Sequence, residues 1–557
     1  MQQLYTVRRK LLWFAVVCIS VGLLASAAGG AGRGLAAPGP ALPDVAGHWA
    51  ESEVRAMAAL QVVSGFPDGT YRPEETVTRE QFLKLLVETA GWPVAGQAEG
   101  RQTFPDVPPG HWSHPYIEAA VAHGVIDRGG QFAPQRPVTR LEVARWLHRA
   151  DPEMPRVPGG APGSSSSFAD VSRIPAEALP AVEAVAAAGL IRGFPDGRFG
   201  PDEPLTRAQG ATSLWRYLCL PRPLQVGGIY AIRSYEQKDF LPRLDWAVFG
   251  WATLSQGEGD TRPRIRLDEQ SSVYRLPPGW EEVSSHSTGL LMVFCDRAQV
   301  LTALLSNPAW WPEVAAEAAA AVDRLGMKGV LIDFEYLRDK NDWGGPGLAA
   351  AYVKFLGVVR DHLPPGHLLM VAVPPANVPS HFDGYDYAAI SRVADRLLLM
   401  AHDYQEADAP SPLAPLPAVA EGVRAVVGAG VDPSRIILGM SLTARQWVVD
   451  EKGQVKRAYY PVLDTVYQSV REHTASGQGT ASFDVQAQAP VFTYVQSSGQ
   501  GGNGSERNVV WYEDLRSVTA KIALARRYRL GGVSLWRLGI IPDQLLGEVL
   551  ATCGHAP

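Results

Sequence analysis

A multidomain chain is expected from this sequence: an α-rich bundle of three internal repeats, then an α/β unit, most simply a (β/α)8 barrel. Three observations predict it. The 557 residues exceed what one compact domain holds. A unit of about sixty residues recurs three times before residue 220. From about Gly227 onward, short apolar runs alternate with helical stretches over some 320 residues, the pattern of a parallel α/β fold.

Composition narrows the class. With 46% hydrophobic and 19% charged residues and a formal net charge of -6, the chain has an ordinary globular balance. That excludes a basic nucleic-acid footprint and a disordered polymer. At the start, Arg8, Arg9 and Lys10 precede an apolar run from Leu11 to Ala25, and small residues follow at Ser26 and Ala27. A basic region, an apolar core and a small-residue exit read as a secretory signal over 1–27, with the run short of a spanning helix. No later stretch is long and apolar enough to span a membrane, so the mature chain is expected to have no integral membrane segment. Cys18 falls inside the apolar run. Cys219, Cys295 and Cys553 are too scattered for a disulfide framework or a metal cluster, though a single bridge stays open.

The repeats lie within 42–220, about 42–92, 104–150 and 168–220. Asp44-Val45, Asp106-Val107 and Asp170-Val171 open the copies, 62 and then 64 residues apart. His48-Trp49 and His111-Trp112 follow in the first two copies only. GFPDGTYRPEETVTRE from Gly65 matches GFPDGRFGPDEPLTRA from Gly193, and the middle copy diverges as GGQFAPQRPVTRLE. Each unit reads as a helix, a turn, an extended piece with an aromatic (Tyr71, Phe132 or Phe199), and a second helix. Thr78, Thr139 and Thr206 are the expected N-caps of those second helices. Gly159–Ser167 reads as a linker.

These repeats resemble the S-layer homology domain, on the Asp-Val opening, the FPDG turn and the TRE/TRL/TRA tripeptide. The resemblance implies a three-fold bundle whose grooves bind secondary cell-wall polysaccharide, which places the protein on a bacterial cell surface. Arg79, Arg140, Arg207, Trp49 and Trp112 are the candidate polymer contacts. A guanidinium pairs an acidic sugar's carboxylate bidentately. The arginines either do this or brace the helix starts, and ligand contact is the expectation. The tryptophans either offer an apolar face or fill the core, and core filling is the expectation.

In the second unit, 227–548, the runs Ala247–Gly250, Leu290–Phe294, Gly329–Asp333, Leu369–Val373, Arg396–Met400, Ile436–Met440 and Gly532–Trp536 are expected strands. Pro312–Leu325 and Gly347–His362 are expected helices between them. Chemistry in such a barrel sits at the C-terminal strand ends. In Gly329–Glu335, alternation puts Leu331, Asp333 and Glu335 on one face. Two like charges at i and i+2 hold one proton near neutral pH, which suits an acid and its helper. A strand-end pair that caps a loop or binds a cation is equally compatible with this segment alone.

KGVLIDFE resembles the DGxDxDxE strand of glycoside hydrolase family 18. LLLMAHDY (Leu397–Tyr404), LGMSLTARQW (Leu438–Trp447) and Val510–Gly539 resemble that family's later segments, closest to the branch associated with peptidoglycan and spore cortex. The resemblance implies hydrolysis of N-acetylglucosamine-containing glycans by substrate-assisted retention, without a metal or organic cofactor. It makes Glu335 the general acid/base and Asp333 the support of the substrate's acetamido group. Trp536, His402 and Asp403 would be substrate contacts. The sequence departs from the pattern at Lys328 and Leu331 (carboxylates in the family), at His402 (tyrosine), and at Ser441 and Thr443 (proline and tyrosine). Two other classes stay in view: a non-catalytic glycan-binding barrel, and a structural envelope protein. An acid at Glu335 separates the first from an enzyme. A stacking platform at Trp536 separates it from a structural protein, unless Trp536 is an ordinary core residue.

Overall fold

The computed structural model describes residues 42–94, 100–155, 168–231, 234–267, 281, 288–337, 347–378, 383–405, 408–497 and 505–555. The leader 1–27 with Cys18 lies outside the described residues, as does the linker Gly159–Ser167, apart from its neighbours from Phe168 on. Among the described residues no helix is long and apolar enough to cross a membrane. Cys219, Cys295 and Cys553 are unpaired.

The bundle consists of α1 (Glu51–Ala59), α2 (Arg79–Thr89), α3 (His114–Ala122), α4 (Arg140–Ala150), α5 (Leu179–Ala187) and α6 (Arg207–Cys219). The three opening aspartates explain their own recurrence. Asp44 accepts the backbone N–H groups of Tyr71 and Arg72 at 2.8 and 2.6 Å. Asp106 accepts those of Phe132 and Ala133 at 2.9 and 2.7 Å, and Asp170 those of Phe199 and Gly200 at 2.8 Å. Each carboxylate therefore pins the aromatic of its own repeat, and all three rings are buried. Thr78, Thr139 and Thr206 form reciprocal capping boxes with Gln81, Glu142 and Gln209, so the second helices start where the sequence places them.

The ring closes between repeats. Arg79 Nε donates to Phe132 O at 2.8 Å, Arg140 Nε to Phe199 O at 2.7 Å, and Arg207 Nε to Tyr71 O at 2.8 Å. Each tripeptide arginine thus clamps the aromatic turn of the next copy, the third returning to the first. The guanidinium carbons also sit 4.6, 5.2 and 4.5 Å from those ring centroids. Ligand contact is the sequence expectation for these arginines; in the structure each Nε is engaged by a backbone carbonyl of another repeat. Arg140, 5% exposed, also donates to Arg192 O at 2.7 Å, and Arg79 pairs with Glu142. A correction concerns the tryptophans. Expected in the core, Trp49 and Trp112 are 59% and 48% exposed, while the aromatics Tyr71 and Phe132 of the same repeats are buried.

The barrel is built from β1 (Val226–Tyr230), β2 (Trp246–Ser255), β4 (Gly289–Cys295), β5 (Gly329–Phe334), β6 (Leu368–Val373), β7 (Arg396–Leu399), β8 (Ile436–Ser441) and β14 (Gly532–Trp536). All eight pair in parallel, and β1 closes the sheet on both β2 and β14. The short β3 (Arg264–Leu267) adds antiparallel to β2. Around the sheet run α7 (Ala298–Leu305), α8 (Trp311–Arg324), α9 (Ala349–His362), α10 (Tyr387–Val393), α11 (Leu416–Gly428), α13 (Leu515–Arg527) and α14 (Asp543–Thr552). Alternation along the strands sorts two cores. Val248, Leu290, Met292, Leu331, Met370, Leu398 and Ile437 fill the barrel interior. Val293, Ile332, Phe334 and Val371 face the helices. Gly329 opens β5 because a Cβ there would meet Leu368 O at 2.2 Å.

Between β8 and β14 the chain makes a separate five-stranded antiparallel sheet that the sequence reading ran through without distinguishing. Its order is β10 (Val455–Tyr459), β9 (Ala444–Val449), β13 (Ser505–Tyr512), β12 (Ala489–Ser497) and β11 (Gly479–Asp484), with α12 (Leu463–Ala475) inserted. The bundle lies against the barrel's outer layer. Arg526 of α13 donates to Leu218 O and Arg222 O at 3.0 Å, Arg424 of α11 to Ala59 O at 3.2 Å, and Arg516 to Ser52 Oγ at 2.7 Å.

Candidate active site

The mouth of the barrel gathers Asp333, Glu335, His402, Asp403 and Trp536 from the ends of three strands. Leu331, one step deeper on β5, belongs to the apolar interior, so Asp333 and Glu335 continue that inward face as the strand runs out. Glu335 is fixed at the edge by its backbone N–H, which donates to Cys295 O at 2.8 Å. Tyr385 holds the same strand end from the next layer, its hydroxyl donating to Phe334 O at 2.5 Å.

Asp333 is 6% exposed, and its Oδ1 is buried without a hydrogen-bond partner. Burial accordingly pushes this carboxyl above the usual carboxylate range, with His402 opposing the rise and Asp296 adding to it. Glu335 is raised too, first by burial and then by the charges of Asp333, Asp296 and Asp403. Like charge enters at Glu335, where Asp333 comes second to removal from water. Two coupled acids in this setting retain a proton under conditions where free carboxyls have lost theirs.

His402 and Asp403 follow β7. His402 Nδ1 lies 2.8 Å from Asp403 Oδ2, and Gln405 Nε2 donates to Asp403 Oδ1 at 3.4 Å. Partial loss of water at the mouth raises the Asp403 carboxyl, but His402, Gln405 and the nearby Arg445 outweigh it and hold the group below its ordinary range. Asp403 keeps 57% of its side chain exposed, as a residue at the rim does. Tyr336 and Asp403 both adopt φ of 61°, a left-handed conformation uncommon outside glycine, on the two loops that carry the site. Ser441 and Thr443, where the resemblance called for proline and tyrosine, hydrogen-bond each other at 2.8 Å. Trp536 ends β14 half-buried and packs against the interior cluster.

Three contributors were not singled out from sequence. Asp296 follows β4 and faces the carboxylate pair electrostatically. Arg445 and Tyr460 come from the inserted sheet and its margin. Arg445 lies 5.2 Å from the Tyr460 ring centroid, and Gln405 Nε2 donates to the Tyr460 hydroxyl at 3.1 Å. The period-two alternation in Ala489–Ser497 was the available signal for that sheet. Among the described residues no group of three or more His, Cys, Asp or Glu is arranged to hold a metal ion.

The comparisons with known proteins give the family of this closed parallel barrel and of the repeats before it. Residues 299–540 match the glycosyl hydrolases family 18, and residues 41–83, 103–144 and 167–211 match the S-layer homology domain. The chain carries three S-layer homology domains followed by a glycosyl hydrolase domain of family 18.

Among curated proteins, the cortical fragment-lytic enzyme of Bacillus subtilis (strain 168) is 28% identical over 228 residues, 39% of this chain and 48% of that protein. The S-layer protein EA1 of Bacillus anthracis is 34% identical over 116 residues, 20% of this chain and 13% of that protein. The crystal structure of the Bacillus cereus spore cortex-lytic enzyme SleL aligns with a TM-score of 0.49 at 18% identity, covering 60% of this chain and 75% of that one. The chain spans about half the length of the first curated relatives it matches.

Proposed function

We propose that the barrel hydrolyses glycosidic bonds beside N-acetylated sugars in peptidoglycan or a related wall glycan, by substrate-assisted retention. The observation that carries this reading is the adjacent pair Asp333 and Glu335, inward-facing at a barrel strand's C-terminal end and both raised by burial. Protonated Glu335 gives its proton to the leaving glycosidic oxygen as the bond to the anomeric carbon breaks. The substrate's acetamido oxygen closes on that carbon to form an oxazolinium ion. Asp333, ionised at that point, supports the positive charge, and His402 and Asp403 hold the sugar from the opposite rim. Glu335, now a carboxylate, takes a proton from the water that opens the ring. Trp536 supplies the face on which the sugar rests.

The leader over 1–27 directs export, and the repeats hold the enzyme on the cell surface by binding secondary cell-wall polysaccharide. The exposed Trp49 and Trp112 are the contacts this reading now favours. Arg79, Arg140 and Arg207 act on the polymer by holding the turns in place.

The test is release of new reducing ends from purified peptidoglycan and chitin oligomers by the full chain, with Glu335→Gln as control. Loss of release in the variant with retained glycan binding supports the assignment. Release unaffected by Glu335→Gln removes it. Binding without release by the unsubstituted protein makes the barrel a lectin.

A further inference from the structure

The strand that carries the acid pair is apolar one step deeper, at Leu331, and the mouth contains a third acid close to the pair. Phe294 of β4 pairs with Asp333 of β5, and Cys295 with Phe334. The next residues along, Asp296 and Glu335, are therefore level, and the Glu335 N–H to Cys295 O bond ties the two strand ends together at that point. Leu290 and Met292 face the barrel interior and Phe294 packs against the same cluster. Asp296 continues that alternation, as Glu335 does after Leu331 and Asp333. Neighbouring parallel strands run about 4.8 Å apart, so the two carboxyls are cross-strand neighbours on one face. Asp296 is half-buried, and Asp333 Oδ1 on the neighbouring strand is buried and without a hydrogen-bond partner.

We propose that Asp296 is a positioning residue of the hydrolysis, a third carboxylate contributed by the neighbouring strand where Leu331 contributes none, whose charge keeps the proton on Glu335 until the glycosidic oxygen takes it. This rests on the hydrolytic reading of the barrel. The groups facing Glu335 come from every side. Asp333 and Tyr336 lie on its own segment, Cys295 and Asp296 at the end of β4, His402 and Asp403 after β7, and Tyr385 before α10. Burial first, then Asp333, Asp296 and Asp403, raise the Glu335 carboxyl and so favour its protonated form. Asp403 is engaged by the His402 ring at 2.8 Å and by Gln405 at 3.4 Å. After the proton has left, the same crowding makes Glu335 the stronger base toward water.

Two measurements on the full chain test this. The first is the pH profile of kcat on solubilised peptidoglycan fragments, for the unsubstituted protein, Asp296→Asn and Asp296→Glu. The second is the carboxyl titration of Glu335, followed by NMR in protein labelled with 13C-glutamate and identified by its absence in Glu335→Gln. Asp296→Asn is expected to move the alkaline limb and the titration of Glu335 together toward lower pH, by about one pH unit. Asp296→Glu should restore both. A fall in kcat with the limb in place and Glu335 titrating as before would mean Asp296 only supports the loop, and overturns the proposal. If the unsubstituted chain releases no reducing ends while the titration still moves, the hydrolytic reading has failed and the role in turnover falls with it. In that outcome the cross-strand charge contact itself survives.

Discussion

In the helical bundle Arg140 is 5% exposed and donates to two backbone carbonyls of the next repeat, at 2.7 Å each. At the barrel mouth Asp333 is 6% exposed and its Oδ1 meets no donor at all. Both are charged side chains taken out of water, and both are shifted by burial toward their neutral forms, Arg140 down to about 10 and Asp333 upward. The difference is compensation. The arginine's hydrogen bonds replace those it had with water, so it serves as a fastener between repeats. The aspartate has no such replacement and has a second acid beside it, so its charge state is held ready to change. Buried charge with partners marks structure here, and buried charge without them marks chemistry.

The comparison breaks most visibly at Glu335. Glu335→Gln preserves shape and removes the transferable proton, so turnover should fall by ~10²–10⁴-fold in a reducing-end assay. A folded, glycan-binding variant with that loss would confine Glu335 to chemistry. In the bundle, Arg140→Met should act on stability. It leaves Phe199 O and Arg192 O without their donor, at a cost of about 3 kcal/mol of unfolding free energy, read as a lower denaturation midpoint. Arg140→Lys should recover little, because one ammonium cannot span both carbonyls as a guanidinium does. If Arg140→Met unfolds at the same denaturant concentration as the parent, the clamp is not a fastener.

How much of this was legible in the sequence follows from the range of the interactions. The Thr78, Thr139 and Thr206 caps are set within four residues of chain, and they appear where the sequence puts them. Strand β5 and the inward run Leu331, Asp333, Glu335 follow from alternation alone. The clamp from each arginine to another repeat was not legible because its partners are backbone carbonyls far along the chain. For Arg207 that partner is Tyr71, 136 residues away, and a backbone carbonyl carries no residue-type signal. The tryptophans were misplaced because their bulk argues for burial, while the aromatics buried in these repeats are the three pinned ones. Asp296 is a lone acid after an apolar run and becomes meaningful only through the register of β4 against β5. The inserted sheet was hidden because its strands sit within a stretch already explained by strand-helix alternation.

A smaller effect sharpens the same contrast through pH. The folded state raises the Asp333 carboxyl, whereas the unfolded chain releases that proton near pH 4. As pH climbs above that, the folded protein holds more protons than the unfolded one, so this group's contribution to stability is present at low pH and lost on going up. Asp333→Asn removes the group that must ionise in an apolar site. Its Tm should therefore approach or exceed that of the parent as pH rises from about 4 through neutrality, with turnover lost throughout. A Tm difference that stays constant across that range would mean the carboxyl is solvated in the folded state.

The smallest effect on stability is expected at Trp49 and Trp112. Each is about half exposed, next to a histidine ring whose centroid lies 5.4 or 6.2 Å away. His48 is turned to Glu74, with 2.7 Å between Nε2 and Oε1, so the indole is not what anchors this loop. Replacing an exposed side chain away from core or caps changes stability by about 0.5 kcal/mol or less, and Trp49→Ala and Trp112→Ala should fall in that range. A flat exposed indole is nonetheless a surface that water covers poorly and a sugar ring covers well. Retention of the full chain on purified wall sacculi should accordingly drop in each single variant and further in the double, with the bundle's melting unchanged. The third repeat has Pro175 where the first has Trp49, five residues after the opening aspartate, which makes it an internal control: Pro175→Ala should leave retention as it was. Equal retention of the Trp49→Ala, Trp112→Ala double variant would show that wall contact runs through another face. Melting lowered by several degrees would instead return the two indoles to a structural role.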